Sequence, residues 1–297
     1  MEVQEDAFYF ASSSDEEVSA ASAASEEARR LAERAANAVA EGRGGVVRSC
    51  SAAETDERLR AVLRRTTRAS TSYSAARFPA GYHTWRLPQQ HSTVPTVVRG
   101  ERDPLTRLAA LSRLSDDDFS LGAGTSILDI GCNQGAMLIE ASIAAGCSGI
   151  GVDFDSELIN AANRMARHFT VNDRCVFYTF DVDVAADEVA TSSVESSAGP
   201  GGEETAAVFR GLDRMHTFLE TAGGVSIIFL LAVCQWVRRW EELLHWCRRT
   251  APALLFEDNG NREQQAQHQA LLRKLYPRID DLGCRVRGRR LLLCRVE

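Results

Sequence analysis

Lysine is almost missing from this chain: among 34 basic residues, Lys274 is the only one. Arginine binds phosphate and carboxylate well. A bias this complete nevertheless reads as codon composition rather than as selection for one ligand, so surface arginine clusters carry little weight by themselves. Long apolar runs are missing too. No stretch reaches the roughly 18–20 residues needed to span a bilayer, and the most apolar one, Val225–Val237, has the length of a core strand. The first residues (MEVQEDAFYF) are acidic and lack the basic-then-apolar pattern of a secretory signal. An intracellular protein of the cytoplasm or nucleus is therefore expected, with no membrane partner. Cysteine occurs eight times, at 50, 132, 147, 175, 234, 247, 284 and 294, without a CxxC or a Cys/His ligand spacing. That excludes a recognisable zinc site and predicts buried thiols in a reducing compartment. There is no internal repeat.

What is present is an ordinary globular composition, 44 % hydrophobic and 25 % charged over 297 residues. The net charge of −7 is unevenly spread: residues 1–57 hold 13 acids and 5 arginines, while the remainder holds 28 acids and 29 bases. The acidity belongs to a tail. Residues 1–70, rich in Ala, Ser, Glu and Arg, have little to bury and are expected to be disordered or loosely helical. Residues 71–297 are expected to form one domain, interrupted at about 185–206 by a Ser/Gly/Glu-rich surface insertion. A monomer is expected.

Inside that domain, short apolar runs alternate with helical patterns. Strands are expected at Ser126–Ile130, Gly149–Phe154, Cys175–Phe180, Val225–Leu231, Ala253–Glu257 and Leu291–Val296. Helices are expected at Ala136–Ala145, Ser156–Phe169, Phe209–Thr221, Arg238–Arg249 and Arg262–Leu275. Such alternation gives an α/β fold, a doubly wound, mostly parallel sheet with helices on both faces. At the end, Asp281–Val286, a Gly288 turn and Arg290–Val296 read as an antiparallel hairpin.

The chemistry concentrates at strand ends. Ile127-Leu128-Asp129-Ile130-Gly131-Cys132-Asn133-Gln134-Gly135 runs an apolar strand into an acid, then a Gly-x-x-x-Gly turn that opens a helix. In open parallel sheets ligands bind just beyond the carboxyl ends of the strands. Gly131 allows close backbone approach and Gly135 allows the helix to pack on the strand, while the helix start offers free N–H groups. Asp129 would repel a polyphosphate but suits an ammonium, such as the methionine end of S-adenosylmethionine. Asp153, 22 residues after Gly131, can accept from both ribose hydroxyls, and Phe154 can lie against an adenine. Asp181, with Asp183 as its rival, ends the next strand, where it can accept from the adenine amino group. Cys132 and Asn133 in the turn, and Ala232 at the following strand end, complete the candidate cofactor set.

These motifs resemble class I S-adenosylmethionine-dependent methyltransferases over residues 80–297 or so. LDIGCNQG is similar to the family's first motif, with Asp129, Gly131 and Gly135 matching, and GVDFD to its second, with Asp153 in the ribose-binding place. The resemblance implies a Rossmann-like seven-stranded sheet with an antiparallel last strand, and the cofactor roles given above. LDIGCNxG followed by GVDFDSELINAA is also similar to bicoid-interacting-type RNA 5′-end methyltransferases, with Trp236 in a matching tryptophan place. Cys234-Gln235 and FEDNGN depart from that pattern. Bacterial methyltransferases with the GCNxG turn are similar in Tyr82-His83, Gly100-Glu101-Arg102-Asp103, FED and the final Gly-Arg-x-Leu strand. The acceptor stays open between a small molecule and an RNA end phosphate.

In-line methyl transfer relies on alignment, and a general base is optional. Gln235, Glu257 and His83 are the candidate acceptor-side groups, Glu257 being the best acid there, whereas His245 reads as a surface residue. A nicotinamide-dependent reductase would need G-x-G-x-x-G, yet Asn133 occupies the middle glycine's place. A non-catalytic methyltransferase-like scaffold is the other alternative. Arg285, Arg287, Arg289, Arg290 and Arg295 crowd the last hairpin, where the aromatics expected of a single-strand platform are missing.

Overall fold

Alternation of side chains along each strand divides the core in two. In β3 (Ser126–Ile130), Ile127 faces one layer and Leu128 the other, and both are fully buried. β7 (Ile227–Leu231) and β8 (Ala253–Glu257) are buried at every position, which is the pattern of strands covered on both faces. The computed structural model describes residues 81–89, 92–112, 114, 119–183, 208–283 and 289–297. The expected tail (1–70), the insertion (185–206), Cys50, Cys284, Arg285 and Arg287 lie outside these residues.

The described chain opens with a hairpin, β1 (Trp85–Gln89) and β2 (Ser92–Val98), followed by helix α1 (Pro104–Leu111). β3, α2 (Ala136–Ala145), β4 (Ser148–Asp153), α3 (Ser156–His168) and β5 (Cys175–Asp181) follow. Next come β6 (Val208–Arg210), α4 (Leu212–Thr221), β7 and a 3₁₀ turn (Cys234–Trp236). α5 (Trp240–Thr250), β8, α6 (Arg262–Leu275), β9 (Arg278–Asp281) and β10 (Leu291–Arg295) complete it. The main sheet has the order β6-β5-β4-β3-β7-β8-β10-β9. β10 is antiparallel to both β8 and β9, while the pairs from β6 to β8 are parallel. Seven of these strands form the expected Rossmann-like sheet, and the three-residue β6 adds an eighth at its edge.

Local chemistry sets the helix starts. Asp103 caps α1 just before Pro104, Asp155 caps α3, and Asn261 forms a capping box with Gln264 on α6. The first face of the sheet packs on Trp85, α1, α2 and α3; the second packs on Phe218, Leu244, Trp246 and Leu272 of α4, α5 and α6.

Two local expectations change and one element is new. The helix expected from Phe209 starts at Leu212, because Val208–Arg210 pairs with β5 and the Gly211 turn separates strand from helix. The hairpin strand expected from Asp281 instead ends there. Its Arg278-Ile279-Asp280-Asp281 sequence hides a strand held by Arg295–Asp280 and Arg290–Asp281 ion pairs. The β1–β2 hairpin has no counterpart in the sequence reading, since Pro88 and Pro95 interrupt both strands. No described helix is long and apolar enough to cross a membrane.

Candidate active site

The order of the sheet puts a crevice at one place. The chain runs outward from β3 to β4 and β5, then returns to the other side of β3 with β7 and β8. Ligands bind at such a reversal, beyond the strands' carboxyl ends. β3 delivers Asp129 there, on the face shared with Ile127 and α2. Asp129 is 2 % exposed, and its Oδ2 has no hydrogen-bond partner. Burial pushes its carboxyl up to about 8, an effect that Arg107 opposes and Asp153 adds to.

The turn after β3 is tightly built. Gly131 (φ +70) leaves no room for a side chain: a Cβ would lie 2.5 Å from Val233 Cγ2, in the turn after β7. Its N–H and that of Cys132 both donate to the Val152 carbonyl, tying the turn to β4. Asn133 adopts φ 53, its N–H donates to Asp153 Oδ2 (2.9 Å), and its own Oδ1 accepts from Gln134 N. Gly135 begins α2 without any side-chain cap, so the first-turn N–H groups face the crevice side unclaimed by a side chain. Gln134 in turn accepts from Trp85 Nε1 (3.2 Å), which joins the β1–β2 segment to the turn.

Asp153 ends β4. Each of its oxygens accepts one backbone N–H, Oδ1 from Asp155 and Oδ2 from Asn133. Burial raises its pKa to about 6, against those amide bonds. Each oxygen keeps a lone pair for a further donor. Phe154 follows, 77 % exposed. Asp181 ends β5, is exposed and accepts from Asp183 N. Asp183 accepts from Arg238 N and Arg239 N, so it braces the segment after β7.

On the other side of β3, Ala232 sits at φ 63 and its N–H donates to the Glu257 carbonyl. The buried Asn259 pins this turn from below: its Nδ2 donates to Ala232 O (2.6 Å) and its Oδ1 accepts from Gln235 N (3.0 Å). Asp258, held by His268 Nδ1 and Gln269 Nε2, fixes Asn259 in turn. Trp236 is 73 % exposed at the rim. His245 is exposed on α5, as expected.

Glu257 ends β8 and is buried among arginines. Arg107 Nε donates to its Oε2 (2.8 Å), Arg102 Nη1 lies 3.3 Å from Oε1, and Arg289 Nη1 lies 3.7 Å from Oε1. Its carboxylate is thus committed to ion pairs. His83 meets Arg102 in a parallel bridge, fully buried. Burial, then Arg107 and Arg102, lower its pKa well below the ordinary histidine value, so the imidazole is neutral. The structure therefore brings Asp129, Gly131, Cys132, Asn133, Gly135 and Asp153 into one unit. Ala232, Gln235, Glu257 and His83 lie towards β7 and β8, and Phe154 and Asp181 at the β4–β5 side. Arg107 and Asn259 are additions; Arg102 lies in the Gly100-Glu101-Arg102-Asp103 segment, which the sequence alone assigns to no site. Among the described residues no group of His, Cys, Asp and Glu could hold a metal ion.

Comparison with known proteins gives the class. A family model described as a methyltransferase domain matches residues 100–293. A probable cobalt-precorrin-6B C(15)-methyltransferase (decarboxylating) of Saccharolobus solfataricus is 38 % identical over 79 residues, 25 % of this chain and 37 % of that one. The match thus spans little more than a third of the relative's length. Among solved structures, the N-terminal domain of EvdMO1 with SAH bound is 14 % identical with a TM-score of 0.44, over 66 % of this chain and 82 % of that one. An RNA methyltransferase of Salinibacter ruber in complex with S-adenosyl-L-homocysteine is 16 % identical with a TM-score of 0.36, over 68 % and 94 %. With the family model covering most of the chain, the protein belongs to the methyltransferase domain family.

Proposed function

We propose that this chain holds S-adenosylmethionine on the Asp129–Asp153 side of the crevice and presents its methyl group to an acceptor seated on the β7–β8 side. The observation that carries this reading is the buried Asp129 carboxyl near the end of β3, which has an oxygen without a donor beside a turn closed tightly at Gly131. Such a group fits an ammonium. When bound, S-adenosylmethionine supplies a methyl group on a sulfonium, open to in-line attack.

The chain's own residues then have separate tasks. Asp129 accepts from the ammonium, and the amides at the start of α2 face the neighbouring carboxylate. Asp153 accepts from the ribose hydroxyls, while Phe154 and Asp181 line the adenine side. The Cys132 and Asn133 backbone closes the turn around them. Ala232 and Gln235 border the methyl position, held by Asn259. Alignment is the main catalytic contribution. Of the three acceptor-side candidates, His83 is neutral, but the burial and the arginines that keep it so also oppose its taking a proton. Gln235 is not basic, and Glu257 serves the arginines. The domain of residues 71–297 carries these groups as a monomer.

Calorimetry with S-adenosylhomocysteine and, separately, NADH tests the reading. Binding of the first alone is expected, weakened about tenfold or more in Asp153→Ala, which loses charge-assisted hydrogen bonds. Binding of NADH instead, or of neither, would refute it. Transfer of labelled methyl groups into fractionated RNA, protein and metabolite pools then identifies the acceptor.

A further inference from the structure

Two arginines of this arginine-rich chain stand apart, because Arg102 and Arg107 are each only 1 % exposed. Codon composition can fill a surface with guanidinium groups. It does not account for burying them, since a buried charge needs partners to offset its lost hydration.

Among the described residues, the carboxylates that meet them are fewer than the cations. Arg102, Arg107 and Arg289 converge on the single carboxylate of Glu257. Glu101, 3.8 Å from Arg102 Nε, is the second acid of the group. That leaves one cation in excess. Asp129 also interacts electrostatically with Arg107, but Asp129 is the carboxyl assigned above to the cofactor's ammonium. Hydrogen bonding shows the same shortage. Among the described residues, buried Arg102 Nε and Nη1 make no well-formed hydrogen bond, with Glu101 and Glu257 3.8 and 3.3 Å away, and His83 Nδ1 beside them is unpartnered, whereas Arg107 is held by both Glu257 and Tyr82. Buried donors left unmade are costly, and guanidinium groups pair best with planar or tetrahedral oxyanions. His83 is held neutral by burial and by the same two arginines, so it adds no competing cation.

Position decides which oxyanion. Glu257 lies on β8, two strands from β3 and on the far side of β7 from β4. The cofactor's own carboxylate has the uncapped start of α2 beside it. We propose that the methyl acceptor carries an oxyanion, a carboxylate or a phosphate, that seats against Arg102, Arg107 and Arg289 at the end of β8. This rests on the methyltransferase reading and narrows its substrate class.

The test uses the full chain loaded with S-adenosylhomocysteine, titrated calorimetrically with inorganic phosphate and separately with acetate. Saturable binding of at least one is expected, and the tighter of the two tells a phosphate acceptor from a carboxylate one. Arg102→Gln and Arg289→Gln are each expected to weaken that binding roughly tenfold or more, for loss of a charge-assisted contact, with S-adenosylhomocysteine affinity within about twofold of wild type. Arg289, at 20 % side-chain exposure, is the variant that decides if Arg102→Gln fails to fold. No saturable binding of either anion by the loaded wild-type protein overturns the proposal, as does wild-type anion affinity in Arg289→Gln. Parallel loss of cofactor-product affinity in the folded variants also overturns it, because the cluster would then hold the cofactor's carboxylate. A wild-type protein that binds no S-adenosylhomocysteine removes the methyltransferase reading itself, a distinct result.

Discussion

An acid buried with one oxygen given no donor is a destabilised group, and Asp129 is in that position until a cation arrives. Its carboxyl titrates near 8 in the folded chain and at about 3.9 in an unfolded one. Between those values the folded state holds a proton that the unfolded state has lost. This group's contribution to stability is therefore fully present below about pH 4 and declines as pH rises towards 8. An ammonium reverses the preference by favouring the ionised form, so binding expels the proton. At pH 7, calorimetry of S-adenosylhomocysteine binding in buffers of different ionisation enthalpy should report close to one proton released. Asp153, near 6, is already mostly ionised there and contributes little. Asp129→Asn should abolish the release and weaken binding by about 1.5–3 kcal/mol, the worth of a hydrogen bond to a charged group. Equal proton release in the variant would remove Asp129 from the ammonium's site. This residue and Asp153 were readable in the sequence, because each ends an apolar run beside glycine or a helix cap. Arg107 was not: its partner Glu257 is 150 positions away, and a chain with one lysine makes every arginine look alike.

At the scale of elements, the strand–turn–helix unit depends on how closely α2 approaches β5. A Cβ on Gly135 would lie 2.5 Å from Phe177 Cε1 and 3.1 Å from Ala162 Cβ, at φ +77. Gly135→Ala therefore combines a left-handed backbone with overpacking, and a loss of about 1–3 kcal/mol is expected. Urea unfolding should show a lower midpoint with an unchanged slope; an unaltered midpoint would mean that the Phe177 ring swings aside freely. The spacing that makes Gly135 indispensable also made β3, α2 and their boundaries legible, since Ser126–Ile130 and Ala136–Ala145 stand where the pattern put them. Elements without such punctuation were hidden. β6 is three residues long and β9 reads as charged surface, so neither carries an apolar period of its own. Their pairing with β5 and β10 defines them, and pairing across the sheet leaves little trace in a local window.

For the molecule as a whole, Glu257 joins the leading segment to the sheet. Arg102 arrives from the loop after β2, Arg107 from α1 and Arg289 from the start of the last strand, and one carboxylate gathers them. Trp85 adds an apolar anchor, buried and stacked on Phe169 of the α3 terminus at 5.8 Å. Removing the charge of Glu257 would leave two guanidinium groups buried without their counter-ion, which costs about 3–5 kcal/mol when one partner of a buried pair is lost. Glu257→Gln should thus lower global stability by that order, seen as a shifted denaturation midpoint. A catalytic base at this position would behave differently: turnover would fall while stability held. The pair Glu257→Gln and Arg107→Gln separates the two accounts further. If Glu257 is the counter-ion, removing Arg107 as well relieves part of the uncompensated charge, and the double variant should be more stable than the sum of the single losses implies. Strict additivity would show that the two side chains do not share one buried network. The leading segment would then owe its docking to Trp85, its apolar neighbours and the Arg102–Glu257 pair.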